Sequence, residues 1–302
     1  MPELPEVETI RRQLAPAVEG RVLEALAIAD PRWCLPLLPE AVGDAVEGRR
    51  VEALIRRGKY LIWELEDEVF LLQHLRMTGV LLLDPADDPP YERVRFVLEG
   101  GREVRFCDPR RFGTGELAVG TAARDAFLAA RLGLEPLSGE LDGAALHRLS
   151  RGRRAPVKAF LLDQRHIAGV GNIYADEALF RARIHPLRSA GSLTRAQCDA
   201  LAGAVKAALT AGIDADGATI DDFRHADGVR GAFQDEFLVH RRRGEPCLEC
   251  GDEVVKFVAA GRGTYACESC QRAPGARSRR GARPRASPAG PGARSGRPGR
   301  AP

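Results

Sequence analysis

The residues after Met1 carry an amine and a carboxylate suited to covalent chemistry. The chain opens Met1-Pro2-Glu3-Leu4-Pro5, and removal of Met1 would leave the secondary amine of Pro2 beside the Glu3 carboxylate. An α-amino group titrates at about 7.7 to 8.0, so a useful fraction is unprotonated at neutral pH. Such an amine attacks an electrophilic carbon and collapses to an iminium ion. The pair therefore predicts a nucleophile with a proton carrier next to it.

The same segment also fits the start of a helix. Pro5 suits a first helical turn, and Glu6 and Glu8 suit its positive end. Apolar residues follow at helical spacing: Val7, Ile10 and Leu14. On these residues alone the helix start is the stronger interpretation. The rest of the chain must show whether Pro2 is also a nucleophile.

Length and composition indicate a globular protein of more than one domain. The chain has 302 residues, of which 44% are hydrophobic and 29% charged, and this excludes fibrous and wholly disordered classes. The first residues lack a basic region followed by an apolar run, and no stretch approaches the ~20 apolar residues of a membrane span. We expect a cytoplasmic protein without a membrane partner.

Charge is distributed unevenly. The final 30 residues contain eight arginines and no acid, so residues 1–272 have a net charge of −5 although the whole chain has +3. Bulk charge therefore does not indicate nucleic acid, and only local basic clusters could. We expect residues 273–302 to be a disordered basic tail. The tail either adds non-specific affinity for polyanions or is an unselected extension.

The patterning predicts a sheet-rich half followed by a helical half. After the opening helix, short β-type runs lie near 50–55, 60–66, 68–73, 79–83, 92–98 and 103–107. Helical runs follow near 142–149, 156–164, 173–183 and 194–210. The Gly- and Asp-rich stretch 213–237 is predicted to be a long loop. It is either a lid over a site or a disordered segment.

Four cysteines predict a metal site. Cys247 and Cys250 form one pair and Cys267 and Cys270 another, with sixteen residues between the pairs. This spacing is typical of a zinc ribbon, in which four thiolates fill the coordination shell, so one Zn²⁺ would be structural. Between the pairs a hairpin is predicted with Arg262 at its tip, where it could approach a phosphate. The remaining cysteines are expected to be buried: Cys34, Cys107 and Cys198.

Two further turns present side chains that could open a duplex. His74-Leu-Arg-Met-Thr-Gly79 and Asp108-Pro-Arg-Arg-Phe-Gly113 each follow a predicted strand, which places Met77, Arg110 and Phe112 on turns. Enzymes that act on a base inside a duplex extrude it and wedge apolar groups into the stack. Taken singly, Met77 and Phe112 are more typical of core residues. Gly169-Val-Gly-Asn-Ile-Tyr174, with Lys158 before it, could hold a phosphate at a helix start.

Together these motifs resemble the formamidopyrimidine-DNA glycosylase family, in that family's order and over residues 1 to about 272. The resemblance rests on the opening Pro-Glu-Leu-Pro-Glu-Val-Glu-Thr, Arg-Arg-Gly-Lys-Tyr at 56–60, the 74–79 and 169–174 motifs and the finger with Gly-Arg-Gly-Thr. It implies a multidomain α+β protein: an N-terminal β-sandwich at 1–118, a linker at 119–139, a helix-two-turn-helix domain with a lesion loop at 140–238 and a zinc finger at 239–272.

The resemblance also implies roles and partners. Pro2 would attack C1′ of a damaged nucleoside, Glu3 would shuttle protons, Lys59 would assist β-elimination and Arg262 δ-elimination. Met77, Arg110 and Phe112 would fill the gap left by the flipped base, and four further residues would contact DNA: Arg93, Arg153, Lys158 and Asn172. The expected protein is a monomeric glycosylase and AP lyase for oxidised purines in double-stranded DNA, with one zinc ion, no organic cofactor and a place on the nucleoid when bound.

Two departures and two alternatives accompany this prediction. The chain has His240 where the family usually has tyrosine and Arg93 where histidine is common; both replacements can still donate to a phosphate. One alternative is an endonuclease VIII-like enzyme for oxidised pyrimidines, which Leu4 disfavours because that branch usually has glycine there. The other is a non-catalytic, zinc-dependent protein that binds damaged DNA.

Overall fold

The computed structural model describes residues 2–219, 226 and 230–274. The predicted disordered tail lies outside this range apart from its first two residues. Nine residues of the predicted loop at 213–237 also lie outside it, namely 220–225 and 227–229. Among the described residues no helix is long and apolar enough to cross a membrane.

The chain begins with one long helix and a two-layer sandwich. Helix α1 (Leu4–Val18) precedes β1 (Leu23–Ile28), α2 (Pro39–Val46) and seven further strands: β2 (Val51–Arg57), β3 (Tyr60–Leu65), β4 (Val69–His74), β5 (Val80–Leu83), β6 (Glu92–Leu98), β7 (Arg102–Cys107) and β8 (Thr114–Val119). The strands form two antiparallel sheets, ordered β1-β6-β7-β5 and β2-β3-β4-β8. The predicted β-sandwich is confirmed.

The two sheets enclose an aromatic core. Trp63 of one sheet stacks on Phe96 of the other, with ring centroids 4.5 Å apart, and Trp33 meets Phe96 edge to face at 6.4 Å. The alternation of buried and partly exposed residues along β6 agrees with one wet face. The six strands predicted from the pattern are present, whereas β1 and β8 were not predicted.

The second half is helical. It contains α3 (Thr121–Ala129), α4 (Gly143–Ser150), α5 (Val157–Leu162), α6 (Asn172–Arg181) and α7 (Arg195–Asp214). Helix α3 falls inside the segment predicted as a linker, and Phe127 and Leu128 pack on the outer face of the β2-β3-β4-β8 sheet. The chain closes with the hairpin β9 (Val255–Ala259) and β10 (Arg262–Ala266) between the cysteine pairs.

Helix α1 belongs to both halves. Val7, Ile10 and Leu14 lie in the sandwich core, while Leu4 lies in the helical core with α6 and α7. A second link comes from Ala226, whose amide donates to Gln13 on α1 at 3.0 Å. The start of α1 is therefore fixed between the domains rather than on one of them.

The turn between α5 and α6 receives the start of α1 at very short range. The Leu4 amide donates to the Gly169 carbonyl at 3.1 Å. A Cβ on Gly171 would lie 2.2 Å from Cδ of Glu3, and one on Gly169, whose φ is +85°, would lie 2.7 Å from Cβ of Leu4. Both glycines are thus required by a close approach, which explains their place in the 169–174 motif.

We predict that Gly171→Ala lowers the free energy of unfolding by about 1–3 kcal/mol, because the added methyl group overlaps the Glu3 carboxyl group. Chemical denaturation measures this. Gly203→Ala in α7 is the matched control, since nothing lies within 4 Å of its added Cβ, and it should raise stability by roughly 0.5–1 kcal/mol. Equal stability of Gly171→Ala and the wild type would contradict the close approach.

Candidate functional site

Two buried carboxylates lie at the start of α1. The Glu3 amide donates to Oε2 of Glu6 at 2.8 Å. Glu6 also accepts from the Tyr174 hydroxyl at 2.7 Å and from the Ala218 amide at 2.8 Å. Burial, followed by the nearby Glu3 charge, raises the pKa of Glu6. Glu6 therefore holds the Pro2-Glu3 segment to α6 and to the end of α7.

Glu3 is held by one oxygen only. Its Oε1 accepts from the Ile173 amide at 3.0 Å, at the positive end of α6. Its Oε2 is buried and has no hydrogen-bond partner among the described residues. The amide at the start of α6 thus binds a protein carboxylate, although the sequence suggested that such amides would hold a phosphate. Pro2, the preceding residue, is buried too.

Lys59 is the second residue of the tight turn between β2 and β3 and is only 5% exposed. Its ammonium group forms no hydrogen bond or ion pair with any residue in the described ranges. Burial lowers the pKa of Lys59, and the charges of Glu3 and Glu6 offset this in part. A lysine with a lowered pKa supplies a neutral amine at a pH where an ordinary lysine stays charged.

A salt-bridge cluster fixes the Lys59 turn to the interdomain segment. The carboxylate of Glu135 accepts from Arg56 at 2.9 Å, from Arg57 at 2.7 Å and from the Gly58 amide at 2.9 Å. Glu135 is buried, so these charge-assisted bonds act at low dielectric. The cluster therefore fixes the position of the turn that carries Lys59.

A cleft of about 210 Å³ collects residues from all three parts of the chain. The sandwich contributes Lys59, His74 and Arg76, the α5–α6 region contributes Gly171 and Asn172 among others, and the finger contributes Arg262. The structure thus brings the predicted residues Lys59, Asn172 and Arg262 to one place. It does so next to Gly171, on which Glu3 packs.

His74 is a cleft residue to which sequence reasoning assigned no role. Its Nδ1 accepts from the Arg76 amide at 2.9 Å. Burial, helped by the charges of Arg76 and Lys59, lowers the pKa of His74 to about 3. The ring is therefore neutral at pH 7 and carries its proton on Nε2. The sequence signal that could have identified His74 as a site residue is its position directly after a predicted strand, at the start of the 74–79 motif.

The finger hairpin is anchored through a buried ion pair. Lys158 is fully buried and lies 2.7 Å from Oδ1 of Asp176 on α6. Its ammonium group also donates to Oγ1 of Thr264 at 2.8 Å and to the Gly263 carbonyl at 3.2 Å. Since Gly263 follows Arg262 in β10, Lys158 sets the position of Arg262 relative to the helical domain.

His240 and Asn172 extend this anchor. Nδ1 of His240 lies 2.9 Å from Oδ2 of Asp176, and its ring meets Tyr265 at 5.0 Å. The side-chain Nδ2 of Asn172 donates to the same Gly263 carbonyl at 3.1 Å, while its Oδ1 is buried without a partner among the residues described. At position 240 the histidine ring therefore points inward to the Asp176 carboxylate, rather than outward to a phosphate.

The turns after β4 and β7 expose the side chains predicted as a wedge. Met77 is 39% and Phe112 48% exposed, so the alternative that they belong to the core is wrong. The guanidinium of Arg110 lies 4.7 Å from the centroid of the Phe112 ring. Arg93 donates to the Asp108 carbonyl at 2.9 Å and so supports one of these turns. Arg153 is exposed on the helical domain, where its Nε donates to the Leu149 carbonyl.

The four cysteines form a compact sulfur cluster. All four Sγ atoms lie within 4.8 Å of one another, with Cys247 and Cys270 at 3.9 Å and Cys250 and Cys267 at 3.4 Å. Tetrahedral Zn²⁺ with Zn–S bonds of about 2.3 Å needs sulfurs about 3.8 Å apart. The cluster fits one structural zinc ion. The other three cysteines are buried as predicted.

A β-sandwich, a helical domain and a zinc finger that meet at a basic cleft, together with a buried Pro2-Glu3 segment, are the arrangement of a zinc-finger DNA glycosylase. Family models match in the same order: the formamidopyrimidine-DNA glycosylase N-terminal domain at residues 1–115, the corresponding H2TH domain at 132–224, and the zinc finger found in FPG and IleRS at 244–273. The chain belongs to the formamidopyrimidine-DNA glycosylase family.

Named relatives and solved structures agree with this assignment. The chain is 44% identical to formamidopyrimidine-DNA glycosylase of Syntrophotalea carbinolica and 46% identical to that of Halorhodospira halophila, in each case over 90% of this chain and 100% of the relative. It resembles the MutM (Fpg) protein of Thermus thermophilus at a TM-score of 0.81 and 44% identity, covering 89% of this chain and 98% of that one. A Lactococcus lactis Fpg complex with abasic-site DNA gives 0.83 at 33% identity, covering 90% and 100%.

We predict that removing zinc abolishes DNA binding without unfolding the sandwich. The finger has a small apolar core around its cysteines, so the hairpin that carries Arg262 depends on the metal. Zinc content by mass spectrometry, DNA binding and thermal unfolding should be followed during chelation. Cys250→Ser should reproduce the loss, whereas Cys34→Ala, far from the cluster in sequence and buried in the sandwich, should retain zinc. Full DNA affinity without zinc would contradict a structural metal.

A second prediction concerns the charge of Lys59. Because the folded pKa lies below the unfolded value, burying Lys59 costs stability at neutral pH, and the cost disappears as the pH rises towards the unfolded pKa of about 10.4. Lys59→Met should therefore unfold at higher denaturant concentration than the wild type at pH 7, and the difference should shrink towards pH 10. Lys206→Met in α7 is the control at a less buried position. A gain from Lys59→Met that grows with pH would contradict this.

Proposed function

We propose that this protein excises oxidised purines, 8-oxoguanine and formamidopyrimidines, from duplex DNA and then cleaves the strand by β,δ-elimination, as a glycosylase and AP lyase of base excision repair. The observation that carries the proposal is the buried Pro2-Glu3 pair, with one free Glu3 oxygen, beside the buried Lys59. The relatives' names and DNA-complex structures support the same substrate class.

The chemistry begins at the amine of Pro2, once Met1 has been removed. Attack on C1′ forms a C–N bond as the C1′–base bond breaks, and the departing base takes the electron pair and a proton. Opening of the sugar gives an iminium ion between Pro2 and C1′. The free Oε2 of Glu3 is the proton carrier for the sugar, because its other oxygen is held by Ile173.

Strand cleavage follows from the iminium ion. The positive nitrogen acidifies the C2′ proton, so its removal expels the 3′ phosphate in β-elimination. We assign Lys59 to this stage, since its lowered pKa leaves an amine able to accept a proton. A second elimination expels the 5′ phosphate, and Arg262 stands at the cleft where it could stabilise the departing charge.

DNA would bind across the face that carries the cleft and the wedge. Met77, Arg110 and Phe112 would occupy the space of the extruded base, which their exposure supports. Arg93, Arg153 and Asn172 would contact phosphates. For Lys158 we propose an indirect part, because its ammonium group is already shared by Asp176, Thr264 and the Gly263 carbonyl.

Two further points stay proposals. The domain limits 1–118, 140–238 and 239–272 are our subdivision, with 119–139 between the first two domains. We also propose that the protein acts as a monomer in the cytoplasm, on the nucleoid.

Borohydride trapping tests the nucleophile. With a duplex carrying 8-oxoguanine opposite cytosine, the wild type should give a covalent protein–DNA complex, and intact mass should show loss of about 131 Da for Met1 as the amine requires. Pro2→Gly should trap far less. Glu3→Gln keeps an acceptor for Ile173 but cannot carry the proton, so excision should fall by about 10²–10⁴-fold. Glu24→Gln on β1, which is exposed, is the control.

The same assay separates the substrate classes. Faster excision of thymine glycol than of 8-oxoguanine would favour an oxidised-pyrimidine enzyme. Binding without any trapped complex, or a retained Met1, would favour a non-catalytic DNA-binding protein. Undiminished trapping by Pro2→Gly would remove Pro2 from the mechanism.

A further inference from the structure

The carboxylate of Asp108 is fully buried at the base of the turn that carries Arg110 and Phe112. Its Oδ2 accepts from the amides of Phe112 and Gly113, each at 2.8 Å, and its Oδ1 accepts from the Arg110 amide at 3.1 Å. Three donors of one turn thus converge on one side chain. The backbone beneath both exposed side chains is fixed by that carboxylate.

The same carboxylate also reaches the other wedge turn. Oδ1 of Asp108 accepts from the hydroxyl of Thr78 at 2.5 Å, and Thr78 follows Met77 directly. This is a bond across 30 residues of sequence between the turn after β4 and the turn after β7. A single buried group therefore ties together the two segments that present Met77, Arg110 and Phe112.

Apolar packing reinforces this tie. A Cβ on Gly79 would lie 2.6 Å from the Phe106 ring, and one on Gly113 would lie 2.3 Å from the same ring. Phe106 is buried in the sandwich core. Both turns thus rest on one aromatic ring, which leaves little freedom for either to shift alone.

The local charge pattern makes Asp108 sensitive to substitution. The carboxylate forms no ion pair within the described ranges, so neutral donors alone stabilise its charge. Its backbone is held from a third segment, since its amide donates to the Tyr91 carbonyl at 3.0 Å and its carbonyl accepts from Arg93. If one of these donors is removed, the carboxylate is still buried away from water but has lost a hydrogen bond that offset this cost.

We propose that Asp108, with Thr78, is a positioning residue that makes the two wedge turns one rigid unit, so that Met77, Arg110 and Phe112 enter the base stack together. The proposal rests on the function proposed above. The wedge side chains are exposed and have few partners of their own, so their placement depends on the backbone beneath them. Rigidity matters because the wedge side chains must fill the gap in the DNA base stack as the damaged base leaves it.

The test separates base extrusion from strand cleavage. One duplex carries 8-oxoguanine opposite cytosine, and a second carries an abasic site, where no base needs to be extruded. Thr78→Val keeps the side-chain shape and removes the hydroxyl donor. Its single-turnover excision of 8-oxoguanine should fall about tenfold, equivalent to about 1.4 kcal/mol, while abasic-site cleavage should stay within about twofold of wild type. Thr78→Ser should restore excision.

A fluorescence readout distinguishes positioning from general stability. With 2-aminopurine next to the lesion, Thr78→Val should slow the phase that reports stack opening at a temperature well below its own midpoint of thermal unfolding, where the variant is fully folded. Asp108→Asn places a side-chain NH₂ group where one carboxylate oxygen accepted from backbone N–H groups. It should therefore slow the same phase more than Thr78→Val does. Asp142→Asn is its control, because Asp142 likewise accepts from a backbone amide, that of Ala145 at the start of α4.

The outcomes are distinct. Wild-type excision by Thr78→Val overturns the inference, as does an equal loss on both duplexes accompanied by a lower thermal midpoint. If the wild type itself cleaves neither duplex, the proposed function fails. Selective loss of excision with rescue by Thr78→Ser supports the rigid wedge even where Asp108→Asn does not fold.

Discussion

The contact between the start of α1 and the glycine turn before α6 is the constraint on which the site depends. The Glu3 carboxylate accepts from the Ile173 amide, and Gly171 lies too close to that carboxylate to carry a side chain. This contact determines where the terminal amine stands, which of the two Glu3 oxygens is free, and how the sandwich sits on the helical domain. Lys59, whose neighbour Gly58 is bound by Glu135, and Arg262, whose neighbour Gly263 is bound by Lys158, then converge on the same cleft.

Charges around the cleft are used in two different ways. Asp176, Lys158 and His240 form a buried network of ion pairs that places the finger. Lys59 is left buried without a hydrogen bond among the described residues, and its lowered pKa is the result. A paired charge fixes geometry, whereas an unpaired buried charge alters reactivity and costs stability. The unpaired buried charge lies at Lys59, the position where the proposed mechanism moves a proton.

Local spacing was enough to predict a sheet-rich half, a helical half, six of the eight sandwich strands and the zinc site, whereas the β-sandwich and the helix-two-turn-helix domain were predicted from the family resemblance. It missed β1, whose residues Leu23–Ile28 have a helix-like composition and become a strand only by pairing with β6. It could not see that Lys158 turns inward to Asp176, or that Asp108 joins two turns, because these contacts connect residues distant in the chain. Lys59, Asn172 and Arg262 were grouped through family resemblance, and the structure supplies their common cleft.

The separation of 170 residues between Glu3 and Ile173 has a consequence for biosynthesis. A ribosome adds roughly 5–20 residues per second, so the first residues leave the exit tunnel many seconds before α6 exists to receive them. During that interval Glu3 and Leu4 lack the contacts seen in the folded protein, since Glu3 bonds to Ile173 and Leu4 packs in the helical core. The nascent amino terminus therefore stays accessible to processing enzymes until translation of the second domain closes the site over it.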